Sequence, residues 1–176
     1  MIKTLRTLSL ALVAAAALPL ASASAQDASA KDAAFGKGTK LVNLGIVTDP
    51  TGFGAGFEVG ILELAPNITL GVGGTFAYQS QSVLGFDAST TWIVGNANVH
   101  YALPDLPALD LFGGVSFGIA RTSIDESLLG VDGSDSQTVF GINLGGRYMF
   151  TPRLGAFAQL GLADAPELFL GLTIKF

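Results

Sequence analysis

Hydrophobic residues alternate with small or polar residues along most of the chain after position 37, a period of two that is typical of β-strands with two unlike faces. Eight such segments follow one another, separated by turns rich in Pro, Gly, Asn and Asp. They are predicted at residues 38–48, 53–64, 68–79, 89–102, 109–121, 137–150, 154–163 and 167–176. Strands of roughly 10–14 residues exceed the usual length in soluble sheets and are long enough to cross a bilayer at a tilt.

The two faces of these segments differ in size and polarity. In the last segment Leu170, Leu172 and Ile174 share one face, whereas Thr173 and Lys175 share the other. Eight large apolar faces would overfill a narrow barrel, and a soluble exterior needs more charge than the 13% found here. The sequence therefore predicts an all-β fold, an eight-stranded antiparallel up-and-down transmembrane β-barrel with apolar faces toward lipid. A soluble lipid-carrying barrel is the alternative.

The N-terminus has the features of an export signal. Lys3 and Arg6 precede an apolar run at residues 8–20, and Ala23-Ser24-Ala25 is a small-x-small cleavage pattern. We expect cleavage after Ala25, with a retained membrane anchor as the alternative. The predicted division is a signal peptide at residues 1–25, a flexible lead-in at 26–37 and the barrel at 38–176.

Composition narrows the chemistry. The chain has no cysteine, and loss of Lys3 and Arg6 with the signal peptide leaves it acidic. No basic patch is interleaved with aromatic residues, so nucleic acid is not an expected partner. The Gly-rich stretches lie inside strands and are not followed by a helix, so they predict space in the lumen and not a nucleotide loop. No cofactor is expected.

The final segment alternates apolar residues and ends in Phe176, with Leu170, Leu172 and Ile174 on the same face. This ending is similar to the C-terminal signal that the barrel assembly machinery reads in bacterial outer-membrane proteins. Together with the signal peptide and eight strands, residues 38–176 resemble the small OmpA/OmpX-type barrels. The resemblance implies a bacterial outer-membrane location with both termini in the periplasm. It also implies contacts with outer-membrane lipid and lipopolysaccharide, and we expect a monomer.

Several polar side chains are predicted to face the lumen: Glu58, Asn96, Asn98, His100, Asn143, Arg147 and Lys175. A lone charge there is costly unless water or a partner compensates it. One hypothesis is an internal pair between Glu58 and Arg147 that plugs or gates the barrel. Separate solvated charges are the alternative.

His100 is the only histidine and the only candidate general base. It is followed by Tyr101 and Ala102, without the serine of lipid-modifying barrel enzymes. We therefore expect no catalytic residue, and interpret His100 as a lumen histidine hydrogen-bonded to Asn98 or to water.

Outer loops are predicted at residues 80–88 and 122–136, and the second is the longest connection of the chain. The second contains Asp125, Glu126, Asp132 and Asp135, but their spacing matches no EF-hand, and no metal site is predicted. Three of the four outer connections are short, which argues against an adhesin built on loops.

Aromatic residues near the strand ends predict interfacial belts: Tyr78 and Trp92 at one end, and Tyr101, Tyr148, Phe150 and Phe176 at the other. The position of Trp92 in its strand points inward and disagrees with a place in the belt. The leading functional hypothesis is a non-enzymatic barrel with a structural or surface-interaction role. The alternatives are a narrow porin-like channel for water or small solutes, and a lipid-modifying enzyme.

Overall fold

The computed structural model describes residues 34–83, 86–126 and 131–176. The predicted signal peptide and cleavage site lie outside the described residues. Eight strands form β1 (Lys40–Thr48), β2 (Gly52–Ala65), β3 (Ile68–Val83), β4 (Phe86–Leu103), β5 (Leu106–Glu126), β6 (Val131–Met149), β7 (Leu154–Ala163) and β8 (Leu168–Lys175). No helix among the described residues is long and apolar enough to cross a membrane.

Each strand pairs antiparallel with its neighbour in sequence, and β8 pairs with β1 to close the barrel. The predicted eight-stranded up-and-down architecture is therefore confirmed. Closure leaves the wall without an edge, which lipid would not tolerate because unpaired backbone groups there cannot bond to water. We call the end that carries the connections β1–β2, β3–β4, β5–β6 and β7–β8 the hairpin end, and the opposite end, with Lys40 and Phe176, the terminal end.

Large apolar side chains cover the outside of the wall. Phe117 is 64% exposed and Leu172 of the last strand is 52% exposed, whereas Thr173 beside it is fully buried. Exposure of so much apolar surface is what a lipid-facing band requires, and it is rare on a soluble protein. The predicted outward orientation of the large apolar faces is therefore confirmed. The predicted small or polar lumen is only partly correct, since Leu41, Val47, Phe112, Phe157 and Phe169 are large apolar residues buried inside.

The prediction of outer loops at residues 80–88 and 122–136 was wrong. Residues 80–83 and 86–88 continue β3 and β4, and most of 122–136 continues β5 and β6. Beyond the lipid both faces of a strand are in water, so apolar alternation stops while backbone pairing continues. The parts of β3–β6 at residues 78–83, 86–91, 121–126 and 131–136 form what we call the protruding sheet. Each of these strand segments has six residues and is about 20 Å long along the strand.

Aromatic residues mark both borders of the apolar band. The rings of Phe53 and Tyr78 lie 5.5 Å apart at the hairpin end, and those of Tyr148 and Phe150 lie 5.7 Å apart at the terminal end. Trp92 faces the lumen, as its position in β4 indicated.

Candidate functional site

Four ionisable side chains from four strands meet in the lumen: Glu58 of β2, His100 of β4, Asp110 of β5 and Arg147 of β6. We call them the ionic cluster. The backbone register brings two of these side chains together, because Asp110 and Arg147 are directly opposite in the β5–β6 pair. Exposure is 5% for Glu58, 1% for His100 and Arg147, and zero for Asp110. Charges this deeply buried are tolerated only when they are paired.

Each cation of the ionic cluster lies between two carboxylates. His100 Nδ1 is 2.8 Å from Asp110 Oδ2, and His100 Nε2 is 2.9 Å from Glu58 Oε1. Arg147 Nη1 donates to Asp110 Oδ2 at 2.8 Å, and Nη2 donates to Glu58 Oε2 at 3.4 Å. Both ring nitrogens therefore face acceptors, an arrangement that suits the imidazolium form, which donates from both. With His100 in that form, two positive charges balance two negative ones.

Neutral side chains complete the bonding around the ionic cluster. Asn98 Nδ2 donates to Glu58 Oε1 at 2.8 Å. Arg147 Nε donates to Thr173 Oγ1 at 3.3 Å, and the Thr173 hydroxyl donates to Asn43 Oδ1 at 2.6 Å. With Asp110 of β5, the network therefore links six strands: β1, β2, β4, β5, β6 and β8. It holds the guanidinium of Arg147 at Nε, Nη1 and Nη2.

Phe35 closes the terminal side of the ionic cluster. Its ring stacks on the imidazole of His100 with a centroid distance of 3.7 Å, and it is only 2% exposed. Ala34 N donates to Pro107 O at 2.8 Å, and Gly38 N donates to Gly60 O at 2.8 Å, so the backbone before β1 is bonded to the wall. This part of the predicted flexible lead-in enters the barrel because the ring of Phe35 packs on His100 and Arg147, which are shielded from water there.

Two further layers fill the lumen between the ionic cluster and the hairpin end. A polar layer contains hydrogen bonds from Asn96 to Thr75, at 2.6 Å, and from Gln159 to Asn143, at 3.3 Å. An apolar layer beyond it consists of Val47, Ala77, Phe157 and Phe169 with Trp92 packed against them. A cavity of about 20 Å³ adjoins the two layers, room for about one water molecule.

The structure brings together four of the seven predicted lumen residues: Glu58, Asn98, His100 and Arg147. The predicted contact between Glu58 and Arg147 is present. Asn96 and Asn143 belong to the polar layer, and Lys175 lies near the terminal end of β8, two residues beyond Thr173.

The predicted environment of His100 was wrong, since carboxylates and not Asn98 or water meet its ring. Asp110 was not among the predicted lumen residues, although it lies opposite Arg147 and adjoins β4. Phe35 was not predicted to enter the lumen, because it precedes the first alternating segment and no pattern assigns it to a face.

In the described part of the chain no three His, Cys, Asp or Glu residues are grouped as metal ligands would be. The carboxylates and the imidazole converge on one another and on Arg147, and Glu58 Oε1, Glu58 Oε2 and Asp110 Oδ2 are already hydrogen-bonded there. Asp110 Oδ1 and Asn98 Oδ1 are the buried side-chain atoms without a hydrogen-bond partner among the described residues.

A Gly71→Ala variant is expected to lose about 1–3 kcal/mol of unfolding free energy, because Gly71 leaves the space that the cluster fills. A Cβ there would lie 3.0 Å from Glu58 Oε1, His100 Nε2 and Phe35 Cζ. Urea titration of the barrel in lipid vesicles measures the change. Gly74→Ala on the opposite face, with Val94 O at 3.4 Å as its nearest neighbour, is the control and should retain stability. Equal stability of the two variants would contradict the proposed packing.

A family model described as outer membrane protein beta-barrel domain matches residues 13–165. The chain belongs to this family. It is accordingly an integral protein of the bacterial outer membrane, and the OmpA/OmpX-type resemblance of the sequence is confirmed at the level of the family. The comparison with curated protein sequences found no match.

Solved structures share the fold of this outer-membrane barrel. The attachment invasion locus protein Ail of Yersinia pestis matches with a TM-score of 0.53 at 15% identity, covering 79% of this chain and 95% of that chain. The same protein in complex with the heparin analogue sucrose octasulfate gives 0.52 at 16% identity, with the same coverage. A de novo designed transmembrane β-barrel gives 0.54 at 17% identity, covering 81% of this chain and 98% of that one. At these identities the likeness concerns the fold alone, and a designed barrel with the same fold shows that fold does not fix function.

Proposed function

We propose that this protein is a non-conducting, non-enzymatic outer-membrane barrel that supports the envelope and presents the protruding sheet at the cell surface. The observation that carries the proposal is the filled lumen. The Phe35 plug, the ionic cluster, the polar layer and the apolar layer follow one another along the barrel axis. Eight-stranded barrels have interiors just wide enough for side chains to fill, which favours this reading over a porin-like channel.

The position of His100 argues against catalysis. Its ring is 1% exposed, both nitrogens are within 2.9 Å of carboxylates, and Phe35 covers one face. A general base must reach a substrate proton directly or through one water, and this ring has no open nitrogen. A lipid-modifying activity therefore has no accessible base in the ionic cluster. In this proposal lipid surrounds and binds the outer wall of the barrel and is not a substrate.

The protruding sheet supports a surface-interaction role. Strand β6 pairs with β7 only from Gly141 onward, so its residues 131–139 are paired through β5 alone. Such a free edge offers backbone donors and acceptors to an extended segment of a partner protein. The relative Ail is named for attachment and invasion, and a surface role for the present barrel is proposed on the geometry of its own sheet.

The proposal also includes assembly and orientation. Leu172 and Ile174 face outward on β8, and Phe176 is 75% exposed, so the C-terminal residues are accessible to the barrel assembly machinery. The described residues close a complete barrel within one chain, which is compatible with a monomer. The hairpin end is proposed to face the cell exterior, with Lys40, Arg153 and Phe176 at the periplasmic side.

Planar-bilayer recordings test the closed lumen. The purified barrel is expected to insert without stable conductance steps, whereas a porin added to the same bilayer provides the positive control. Reproducible steps from the wild-type barrel would overturn the non-conducting role and favour the narrow channel.

Single cysteines test the orientation, since the chain has none of its own. A Ser134→Cys variant on the protruding sheet should react with a membrane-impermeant maleimide on intact cells. Thr151→Cys in the β6–β7 connection is the matched control, exposed on the protein but expected to react only after the outer membrane is opened. The reverse pattern would place the protruding sheet in the periplasm.

A further inference from the structure

The lipid-facing wall has a groove where two outward glycines lie side by side. Gly74 of β3 and Gly95 of β4 are directly opposite in the strand register, and Phe57 and Phe117 flank them in the same row. A Cβ on Gly74 would have only Val94 O within 4 Å, at 3.4 Å, and on Gly95 nothing nearer than 3.8 Å. The glycines therefore leave open space, and are not needed to avoid a clash.

An apolar groove of about 460 Å³ lies on the Phe57 side of this glycine pair, and Gly74 is part of its lining. We call it the glycine groove. Its lining includes Val42, Ala55, Phe57, Phe76 and Ile93. Because it lies within the band that hydrocarbon covers, its contents in the membrane are acyl chains unless a protein occupies it. A groove between aromatic ridges holds a chain against more surface than a convex wall does, which favours one chain over exchange with bulk lipid.

Strands β3 and β4 continue from the groove to a polar site where the apolar band ends. Tyr78, Thr91, Arg121 and Ser136 form one outward row across β3–β6, and each is the register partner of the next. The next row outward is made entirely of serines, Ser80, Ser89, Ser123 and Ser134, again in direct register. A cavity of about 690 Å³ is lined by the serine row together with Tyr78, Arg121 and Asp87.

Arg121 gives this polar site its charge preference. It is the only Lys or Arg in the sequence between Lys40 and Arg147, and it is exposed, with Nη2 donating to Ser134 Oγ at 3.4 Å. A guanidinium with hydroxyl groups around it matches phosphate and sugar oxygens. The carboxylate of Asp87 lies two rows further out and bonds to Ser82, so it does not share the row of Arg121.

The groove and the polar site are in line along the strands. Four residues separate Gly74 from Tyr78, and four separate Phe117 from Arg121, which corresponds to about 13 Å of strand. An acyl chain lying in the groove would therefore have its headgroup at the level of Arg121 and the serine row.

We propose that the outer wall of β1–β6 forms a binding site for one phosphorylated glycolipid of the outer leaflet, of the lipid A type. One acyl chain occupies the glycine groove, Arg121 binds a phosphate, and the serine row contacts the sugar. The site rests on the outward orientation of the hairpin end in the proposed function, and it specifies which lipid chemistry that surface selects.

Native mass spectrometry of the detergent-purified barrel tests the site with bisphosphorylated lipid A and its dephosphorylated form. The wild type should bind the phosphorylated lipid about tenfold more tightly, the order expected for a charge-assisted hydrogen bond pair. Arg121→Gln should abolish this preference. Arg153→Gln, an exposed arginine at the other end, should retain it.

The acyl part is tested by filling the groove. The double variant Gly74→Leu, Gly95→Leu should bind both lipids several-fold more weakly and keep the preference for phosphate. Gly146→Leu, at an outward glycine of β6 with a neighbour at 3.4 Å, is the matched control and should bind as the wild type does. Millimolar inorganic phosphate should not displace the lipid, because the chain contributes to binding.

Three results would overturn the site. The first is an equal preference for phosphorylated lipid A in Arg121→Gln and in the wild type. The second is unchanged lipid binding after the groove is filled by leucines, and the third is displacement of the lipid by inorganic phosphate. A barrel dimer that disappears in the double glycine variant would assign the groove to a second copy of the chain. The conductance measurement is independent of all these outcomes, so failure of the lipid site leaves the closed lumen standing.

Discussion

Replacing Arg147 with methionine is expected to lower the free energy of unfolding by about 3–5 kcal/mol, the cost of breaking a buried ion pair from one side. The variant leaves the carboxylates of Glu58 and Asp110 in the lumen with only His100 to balance them. It also removes the bond from Arg147 Nε to Thr173 Oγ1. Urea titration in lipid vesicles, with the barrel unfolding reversibly, measures the loss.

Two further variants decide whether charge imbalance causes this loss. Adding Glu58→Gln to Arg147→Met should recover part of the stability, because one carboxylate then faces one imidazolium and the two substitutions are not additive. Arg153→Met, at an exposed position in the β6–β7 connection, should change stability by no more than about 0.5 kcal/mol. A loss in Arg153→Met as large as in Arg147→Met, or no recovery in the double variant, would contradict the role given to the ionic cluster.

A Val115→Arg variant is expected to lose about 2–4 kcal/mol of stability in a bilayer, the cost of an arginine at the midplane of a barrel wall. Val115 is 44% exposed and lies midway along the outward apolar residues of β5, between Leu111 and Ile119. The guanidinium must either stay in hydrocarbon or distort the bilayer to reach water. The same urea titration in vesicles measures the effect.

The matched control lies on the same strand and the same face. Ser123 is eight residues from Val115, beyond the end of the apolar band, so Ser123→Arg should be nearly neutral. Equal losses in the two variants would remove the distinction between the lipid-facing band and the protruding sheet. A neutral Val115→Arg would contradict the membrane-facing wall itself.

We expect the ionic cluster to specify the strand register as well as to stabilise the barrel. A barrel of this size could fill its lumen with apolar side chains, and a buried ion pair replaced by well-packed apolar residues is often neutral or stabilising. Its partners come from strands far apart in sequence: 89 residues separate Arg147 from Glu58. Alternative strand registers would leave these charges unpaired, so the cluster penalises them. We expect register errors, and not only lower stability, when both carboxylates are neutralised.

The protruding sheet shows the limit of reading strands from hydrophobic alternation. In β5 the pattern ends near Ile119, yet the strand continues to Glu126. The extra residues are Arg, Thr, Ser and Asp among others, which carry no face preference in water. Their strand structure comes from pairing with β4 and β6, and only the assembled sheet supplies that pairing.

The number of strands, their order and the side of each strand that meets lipid follow from the amino-acid sequence, because a bilayer imposes one period and one length on every segment that crosses it. Tertiary structure alone decided which lumen residues meet. Glu58, His100, Asp110 and Arg147 share a height in the barrel only because of the shear between strands, a quantity that alternation does not encode. It also decided that Phe35 enters the lumen, since the ring's stacking surface on His100 exists only after the barrel has closed.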